Sequence, residues 1–473
     1  MTVRLRDPIA AGVRGAAKRL LLCSLISSSM LITTVEPSRS EDNGSKAIPE
    51  QSIAASLPYN GDPDGRRRAL GEKGVTYRLN YVGEWQSNVS GGVGRGSDYM
   101  GRLEGVLDID LGKLVGWRGW AFHVNGYQIH GDPLSRERIN NLMPVSYIEA
   151  LPATRLGELW LEQKFLGDKL KVRFGQMAAD NEFHSSSYAA QFINNTFGWP
   201  MILAANLPSG GPAYPFATPG IKVQLDPNKS TSLLLGVFNG DPAGPGAGDP
   251  EKRDPFSAKF RVQDPPLIMA EAQYRYDQDK GASGLAGTVK FGAWTHFGRF
   301  DDQRLGTDSL GLADPASNGN PARVRDDHGI YGVIDQQIWR PKTGEADKGV
   351  GVFARASASP SKQNLIDLYF DGGIVFAGFP MRPDDALGFG AAYARISGRA
   401  RAMDQDAVAL GEAIVIRDFE ALFEANYQAQ ILPGLQIDLD LQRVIHPGGH
   451  IAGPNGAAIP DATVLTLHTL VKY

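Results

Sequence analysis

The sequence predicts an all-β fold, a transmembrane antiparallel β-barrel of about 16 strands. An infolded loop and a short N-terminal helix on the periplasmic side complete it. Three observations lead there. About sixteen segments alternate apolar and polar residues with period two, and each is near the ~9–11 residues that a tilted strand needs to cross a bilayer. The N-terminus has the layout of an export signal, and no later stretch reaches ~18 uninterrupted apolar residues, so no spanning helix follows. Tyr and Trp fall at strand ends (Tyr77, Trp85, Trp117, Trp120, Tyr427), and the last residue, Tyr473, is aromatic, as an interfacial girdle requires.

Bulk composition agrees. The chain holds 56 glycines among 473 residues, against a usual share of about 7%. That abundance of turn formers suits many short strands. A mean hydropathy of -0.24 excludes a helical membrane protein, and a formal charge of -4 gives no basic footprint for nucleic acid.

Residues 1–40 read as a signal peptide. Arg4, Arg6, Arg14, Lys18 and Arg19 precede an apolar run from Leu20 to Ile32, and Ser38-Arg39-Ser40 offers a small-x-small cleavage pattern. Those 40 residues hold six basic and two acidic side chains, so their removal takes the formal charge from -4 to -8. The single cysteine, Cys23, lies inside the signal behind Leu22, which does not fit a lipid-anchor pattern, and no disulfide is expected.

Residues 41–73 form an N-terminal periplasmic segment, with a short helix over Asp62 to Lys73 stopped at Gly74. Its Arg66-Arg67-Arg68 triplet reads as a solvated face. The barrel occupies 74–473. On its first strand Val75, Tyr77, Leu79, Tyr81 and Trp85 share one face, and Thr76, Arg78, Asn80, Glu84 and Gln86 the other. The glycines of Gly91 to Gly96 are followed by a strand rather than a helix, so they read as a hairpin loop and not a phosphate cradle. A second strand sets Leu103, Leu107 and Ile109 against Arg102, Glu104 and Asp108, a third opens at Trp120, and a loop runs on to Thr154.

The centre of the chain is a hairpin. Gly157 to Phe165 and Leu170 to Gln176 alternate around a Gly167-Asp168-Lys169 turn, with Glu158, Glu162, Lys164, Lys171 and Arg173 on the charged face. The segment 177–219 that follows is long and rich in Asn, Gly, Pro and aromatics. A loop of that length is functional or disordered, and this one is read as folding into the barrel to narrow it. The same alternation recurs to the end: Phe419, Phe423 and Tyr427 oppose Glu420, Glu424 and Asn426, and Leu435, Ile437, Leu439 and Leu441 oppose Gln436, Asp438, Asp440 and Gln442. Alternation does not say whether the apolar face meets lipid or a dry core. Export, the girdle and the aromatic terminus favour lipid, and about 16 strands enclose a water-filled channel.

Several segments, weak singly but specific in their order, resemble the OprB-like carbohydrate-selective porins of Gram-negative outer membranes. They are Ala69–Val75, Gly175–Phe183, Gly236–Pro242, Gly292–His296, Tyr331–Gln337, Arg382–Asp385 and Glu424–Tyr427. Tyr473 stands where that family's barrels more often end in Phe. The resemblance covers about 59–473. It implies a passive outer-membrane channel for monosaccharides such as glucose, with lipid and small carbohydrates as partners, no cofactor, and one barrel or three per particle. The constriction would be lined by charged and aromatic side chains. Strand parity nominates Glu158, Trp160 and Arg173 for it, then Asp180, Glu182 and Phe183 at the start of the loop, with Arg78, Arg102 and Trp294 behind them.

Rival readings are an anion or general-solute channel of the same architecture and a soluble exported β-protein that binds carbohydrate. A phosphate channel would want clustered Lys and Arg, whereas this lumen is mixed in sign. An enzyme is not expected, since Gly-x-Ser-x-Gly, His-Glu-x-x-His and Walker patterns are all missing. No metal residues are assigned, and cation binding by acidic external loops such as Asp301-Asp302 stays open.

Overall fold

Sixteen strands close into one antiparallel barrel in the computed structural model, which describes residues 51–279, 282–342 and 348–473. The expected signal peptide lies outside the described residues. The strands are β1 (Val75–Ser90), β2 (Gly96–Asp110), β3 (Trp120–Gly131), β4 (Ala153–Phe165), β5 (Leu170–Met177), β6 (Thr218–Leu225), β7 (Thr231–Asn239) and β8 (Pro266–Tyr276). They continue as β9 (Gly287–Gly306), β10 (Pro321–Trp339), β11 (Gly349–Ala358), β12 (Ile366–Phe379), β13 (Arg382–Ile396), β14 (Phe419–Leu432), β15 (Leu435–Ile445) and β16 (Ala462–Lys472). Every strand pairs with its sequence neighbours, and β16 closes on β1 with Trp85 opposite Leu467. Tyr473 extends that seam: its N–H donates to Leu79 O at 2.7 Å, and its hydroxyl donates to Gly61 O at 3.0 Å.

The polarity of the two faces follows from where the apolar residues point. Leu79, Trp85, Leu103, Phe174, Ile221, Phe291, Ile334, Phe423 and Leu439 are all exposed on the outer surface. Glu84, Glu158, Glu271, Glu424 and Asp440, on the alternate positions, are buried on the inside. A soluble sandwich would show the reverse. In a bilayer the outer band faces hydrocarbon, and closing the ring leaves no unpaired strand edge in it.

Local signals work as expected at the turns. Leu166, Gly167 and Asp168 all have left-handed φ in the β4–β5 hairpin, the conformation whose twist matches that of paired strands. Residues 91–95 do join β1 to β2. The N-terminal helix is Arg66–Glu72, and Asp62 caps it by accepting from Arg67 N and Arg68 N at 3.0 Å each. Those two bonds hold the Asp62 carboxyl below the usual range. The arginine triplet does not behave as one face. Arg66 and Arg68 are exposed, but Arg67 is buried between the rings of Tyr77 and Tyr473, 5.1 and 4.8 Å from their centroids. Asp301 and Asp302 belong not to a loop but to the extended end of β9, where they pair with Arg323 and Arg399.

The wall has a tall and a low side. β9 and β10 run 20 and 19 residues, while β5 and β6 run only 8 each. On the low side the β7–β8 connection lies against the start of β4, which extends past short β5, with Leu156 N donating to Phe256 O at 2.9 Å.

Candidate functional site

The segment between β5 and β6, residues 178–217, crosses the barrel interior and is bonded to the far wall. Inward carboxylates accept its backbone N–H groups one after another. Glu158 takes Ala178 N (2.9 Å), Glu271 takes His184 N (2.8 Å), Asp335 takes Ser187 N (2.9 Å), and Glu424 takes both Ile193 N and Asn194 N (2.6 and 3.1 Å). Arg355 adds the opposite polarity. It donates to His184 O and Thr196 O and is paired with Asp371, with both side chains fully buried. A buried N–H without an acceptor is costly, so these groups specify where the segment lies.

Around the bonds is an apolar interior. Phe183, Phe192, Phe197, Trp199, Ile202 and Leu203 pack on Leu234, Phe238, Trp294, Tyr331, Phe353 and Tyr369 of the wall. A second inward segment, 132–152, joins it: Leu142 N and Met143 N donate to Glu420, and Tyr147 N donates to Ile193 O. The sequence reading treats 132–152 as a plain loop. Its only hint is the pairing of Glu420 and Glu424 on one inward face, which wall charges would also produce.

The other half of the wall carries a continuous polar ladder. Arg78 donates to Asp108 at 2.7 Å, and the same carboxylate meets His123 Nδ1 at 2.6 Å. The His123 ring stacks on Trp160, with centroids 4.7 Å apart. Arg173 covers the other face of Trp160, 3.8 Å from its centroid, and pairs with Glu162 and Glu182 at 2.9 and 2.5 Å. Lys222 closes on Glu182 at 2.7 Å. Burial raises the Glu182 carboxyl, but Lys222 and Arg173 outweigh it and hold the group below its ordinary value. Asp180 goes the other way: burial pushes it up to about 6, against the opposing hydrogen bond from Tyr214 N.

Arg102 stands apart from this ladder and forms no ion pair among the described residues. Its guanidinium lies 5.2, 5.5 and 5.1 Å from the ring centroids of Tyr127, Tyr147 and Tyr214. Each tyrosine comes from a different part of the chain: β3, the 132–152 segment and the 178–217 segment.

Of the nominated residues, Glu158, Trp160, Arg173 and Glu182 are therefore brought together, Asp180 and Arg102 meet around Tyr214, and Arg78 joins through Asp108 and His123. Phe183 and Trp294 are placed in the apolar packing, against Phe238 and Tyr331 respectively. Glu162, His123, Lys222 and the three tyrosines complete the site and were not nominated. Parity with Glu158 and Trp160 marks Glu162, but nothing local in the sequence marks Tyr147 or Tyr214.

Comparison with known proteins finds the family described as "Carbohydrate-selective porin, OprB family", whose profile matches residues 94–473. Porin B of Pseudomonas aeruginosa is 25% identical over 413 residues, covering 82% of this chain and 87% of that protein. The high-pH structure of Pseudomonas putida OprB aligns with a TM-score of 0.77 at 21% identity, over 88% of this chain and 98% of that one. The low-pH structure aligns with a TM-score of 0.52 at 18% identity, over 87% and 97%. These structural likenesses are of fold.

Proposed function

The chain belongs to the carbohydrate-selective porins of the OprB family, and we propose that its cargo is monosaccharides of the glucose class, entering across the outer membrane of a Gram-negative bacterium. The path runs between the β1–β6 wall and the two inward segments. Because each barrel closes on itself, one chain suffices for one path, whether barrels stand alone or in threes.

The observation that carries the reading is Arg102 held over three tyrosine rings beside the ladder from Arg78 to Lys222. A sugar presents hydroxyls at its edges and C–H groups on its faces. Arg102 donates to hydroxyls, Asp180 accepts from them, and the tyrosine rings offer apolar surface to a C–H face. Most ladder charges are already paired, so the contacts stay weak enough for release, which conduction requires. Glu158, Trp160, Arg173 and Glu182 form the narrowing, with Trp160 as a rigid prop because both its faces are covered. Phe183 and Trp294 act behind it by seating the inward segment. Alternating signs along the ladder favour a neutral polar solute over phosphate.

In planar bilayers the purified protein forms a small channel that millimolar glucose partly blocks and phosphate barely affects. Block by phosphate without any effect of sugar overturns the cargo assignment.

A further inference from the structure

At the barrel end opposite Tyr473, two imidazoles and a carboxylate converge. Asp418 immediately precedes β14, and His446 and His450 lie in the connection from β15 to β16. Asp418 Oδ1 is 2.9 Å from His446 Nδ1, and Asp418 Oδ2 is 3.6 Å from His450 Nδ1. One ligand atom from each residue lies within 4.8 Å of the others. We infer that Asp418, His446 and His450 form a binding site for a divalent transition-metal cation, in the class of zinc or nickel.

The backbone is shaped to bring these groups together. His446, Gly448, Gly449 and His450 all have left-handed φ, at 53°, 70°, 78° and 74°. Two non-glycine residues in that region within five positions is uncommon, even for a type that tolerates it. The turn is held at three points: Gly448 N donates to Glu420 at 2.7 Å, His446 N donates to Asp461 at 3.0 Å, and Asp418 N donates to Gly449 O at 3.0 Å. A Cβ at Gly449 would lie 2.5 Å from Ile396 Cδ1 and oblige that side chain to shift. The result is a pair of imidazoles stacked 3.9 Å apart with planes 7° from parallel, facing one carboxylate.

Nearby charges set Asp418 apart. Asp404 is taken by Arg417 and Asp461 by Arg443. Asp418 has no Lys or Arg partner among the described residues, and the ring nitrogens that face it are those of the two histidines. Two imidazole nitrogens and one carboxylate oxygen, with room left for water, match the donor preferences of Zn²⁺, Ni²⁺ and Cu²⁺. Ca²⁺ and Mg²⁺ want six or more oxygens. An imidazole lone pair lies in the ring plane, so binding requires the stacked rings to swing apart. His446 is also packed on Phe419, with centroids 4.6 Å apart, so the ring that has to turn is His450, about a third exposed. A bound cation would tie the start of β14 to the β15–β16 connection at the mouth.

The test is calorimetric titration of the full-length barrel in detergent with Zn²⁺ alone, with Ca²⁺ as comparison, at pH 7 and pH 5. The expected result is one equivalent of Zn²⁺ at pH 7, no Ca²⁺ heat, and weaker Zn²⁺ binding at pH 5, because protons compete with a metal for imidazole nitrogen. His446→Asn, His450→Asn and Asp418→Asn each weaken binding at least tenfold. Asn tolerates left-handed φ, and unchanged heat-dependent gel mobility shows that the variants are folded. His328→Asn, on the exposed face of β10, leaves binding intact. Absence of Zn²⁺ binding, equal binding by the three variants, equal affinity for Ca²⁺, or undiminished binding at pH 5 each overturns the assignment.

Discussion

Strands β7 to β15 and strands β1 to β6 share one alternation, yet their inward side chains do different work. On β7 to β15 the inward residues hold protein. Glu271, Asp335 and Glu424 accept backbone N–H groups of the inward segment, Arg355 donates to its carbonyls, and Phe238, Tyr331 and Phe353 pack its rings. On β1 to β6 Glu158 also takes one N–H of that segment, from Ala178, but Arg78, Arg173 and Lys222 belong to a side-chain ladder that reaches Glu182 of the segment, and Arg102 stands over rings. The same residue types therefore serve as fasteners on one side and as a lining on the other. An inward charge identifies a channel interior, but its partner identifies its role.

Substitutions can separate the two roles, and the largest effect is expected on the fastening side. Arg355→Ala strips the partner from fully buried Asp371 and frees two carbonyls of the segment, a loss of about 3–5 kcal/mol. The heat-dependent gel transition should fall sharply, and single-channel current should become noisy and larger as the segment loosens. A quiet channel of unchanged size would show that packing alone holds the segment.

Glu424→Ala leaves Ile193 N and Asn194 N without their acceptor, at about 1–3 kcal/mol. The same readouts should move in the same direction by less, with protease cleavage appearing between β5 and β6. On the lining side, Arg102→Leu should leave the gel transition in place and weaken sugar block about tenfold, ~1.4 kcal/mol. If it instead destabilises the barrel as Arg355→Ala does, the two halves do not differ as described.

Asp180 provides a pH arm. With its carboxyl raised to about 6, it is ionised at pH 7 and protonated at pH 5. Folding favours its neutral form, so its contribution to stability is full at low pH and is lost as pH rises through 6. Cation preference measured by reversal potential should fall between pH 7 and pH 5, and Asp180→Asn should remove that step. The smallest effect belongs to Tyr473→Phe, which loses one hydrogen bond to Gly61 O, about 0.5–1.5 kcal/mol, and should lower the gel transition slightly without touching conductance.

Much of the fold was legible residue by residue. Alternation marked the strands, the short Gly167-Asp168-Lys169 turn marked a hairpin, and Glu158, Trp160 and Arg173 shared a face by parity alone. The triplet at Arg66 to Arg68 misled because its middle member is claimed by Tyr77 and Tyr473, and Tyr473 lies at the other end of the chain. Phe183 and Trp294 were nominated with the lining, but the packed side of the interior holds them, and no periodicity separates a ring against sugar from a ring against Phe238 or Tyr331.

Period-two patterning by itself determined that this chain is a run of two-faced strands, because a strand alternates its faces whatever it is packed against; the export signal and the aromatic girdle are what turned the apolar faces toward lipid. Only ring closure decided which interior charges fasten the crossing segments and which line the path. Closure sets which wall positions a crossing segment can reach, and a carboxylate that meets a backbone N–H there is no longer available to a solute.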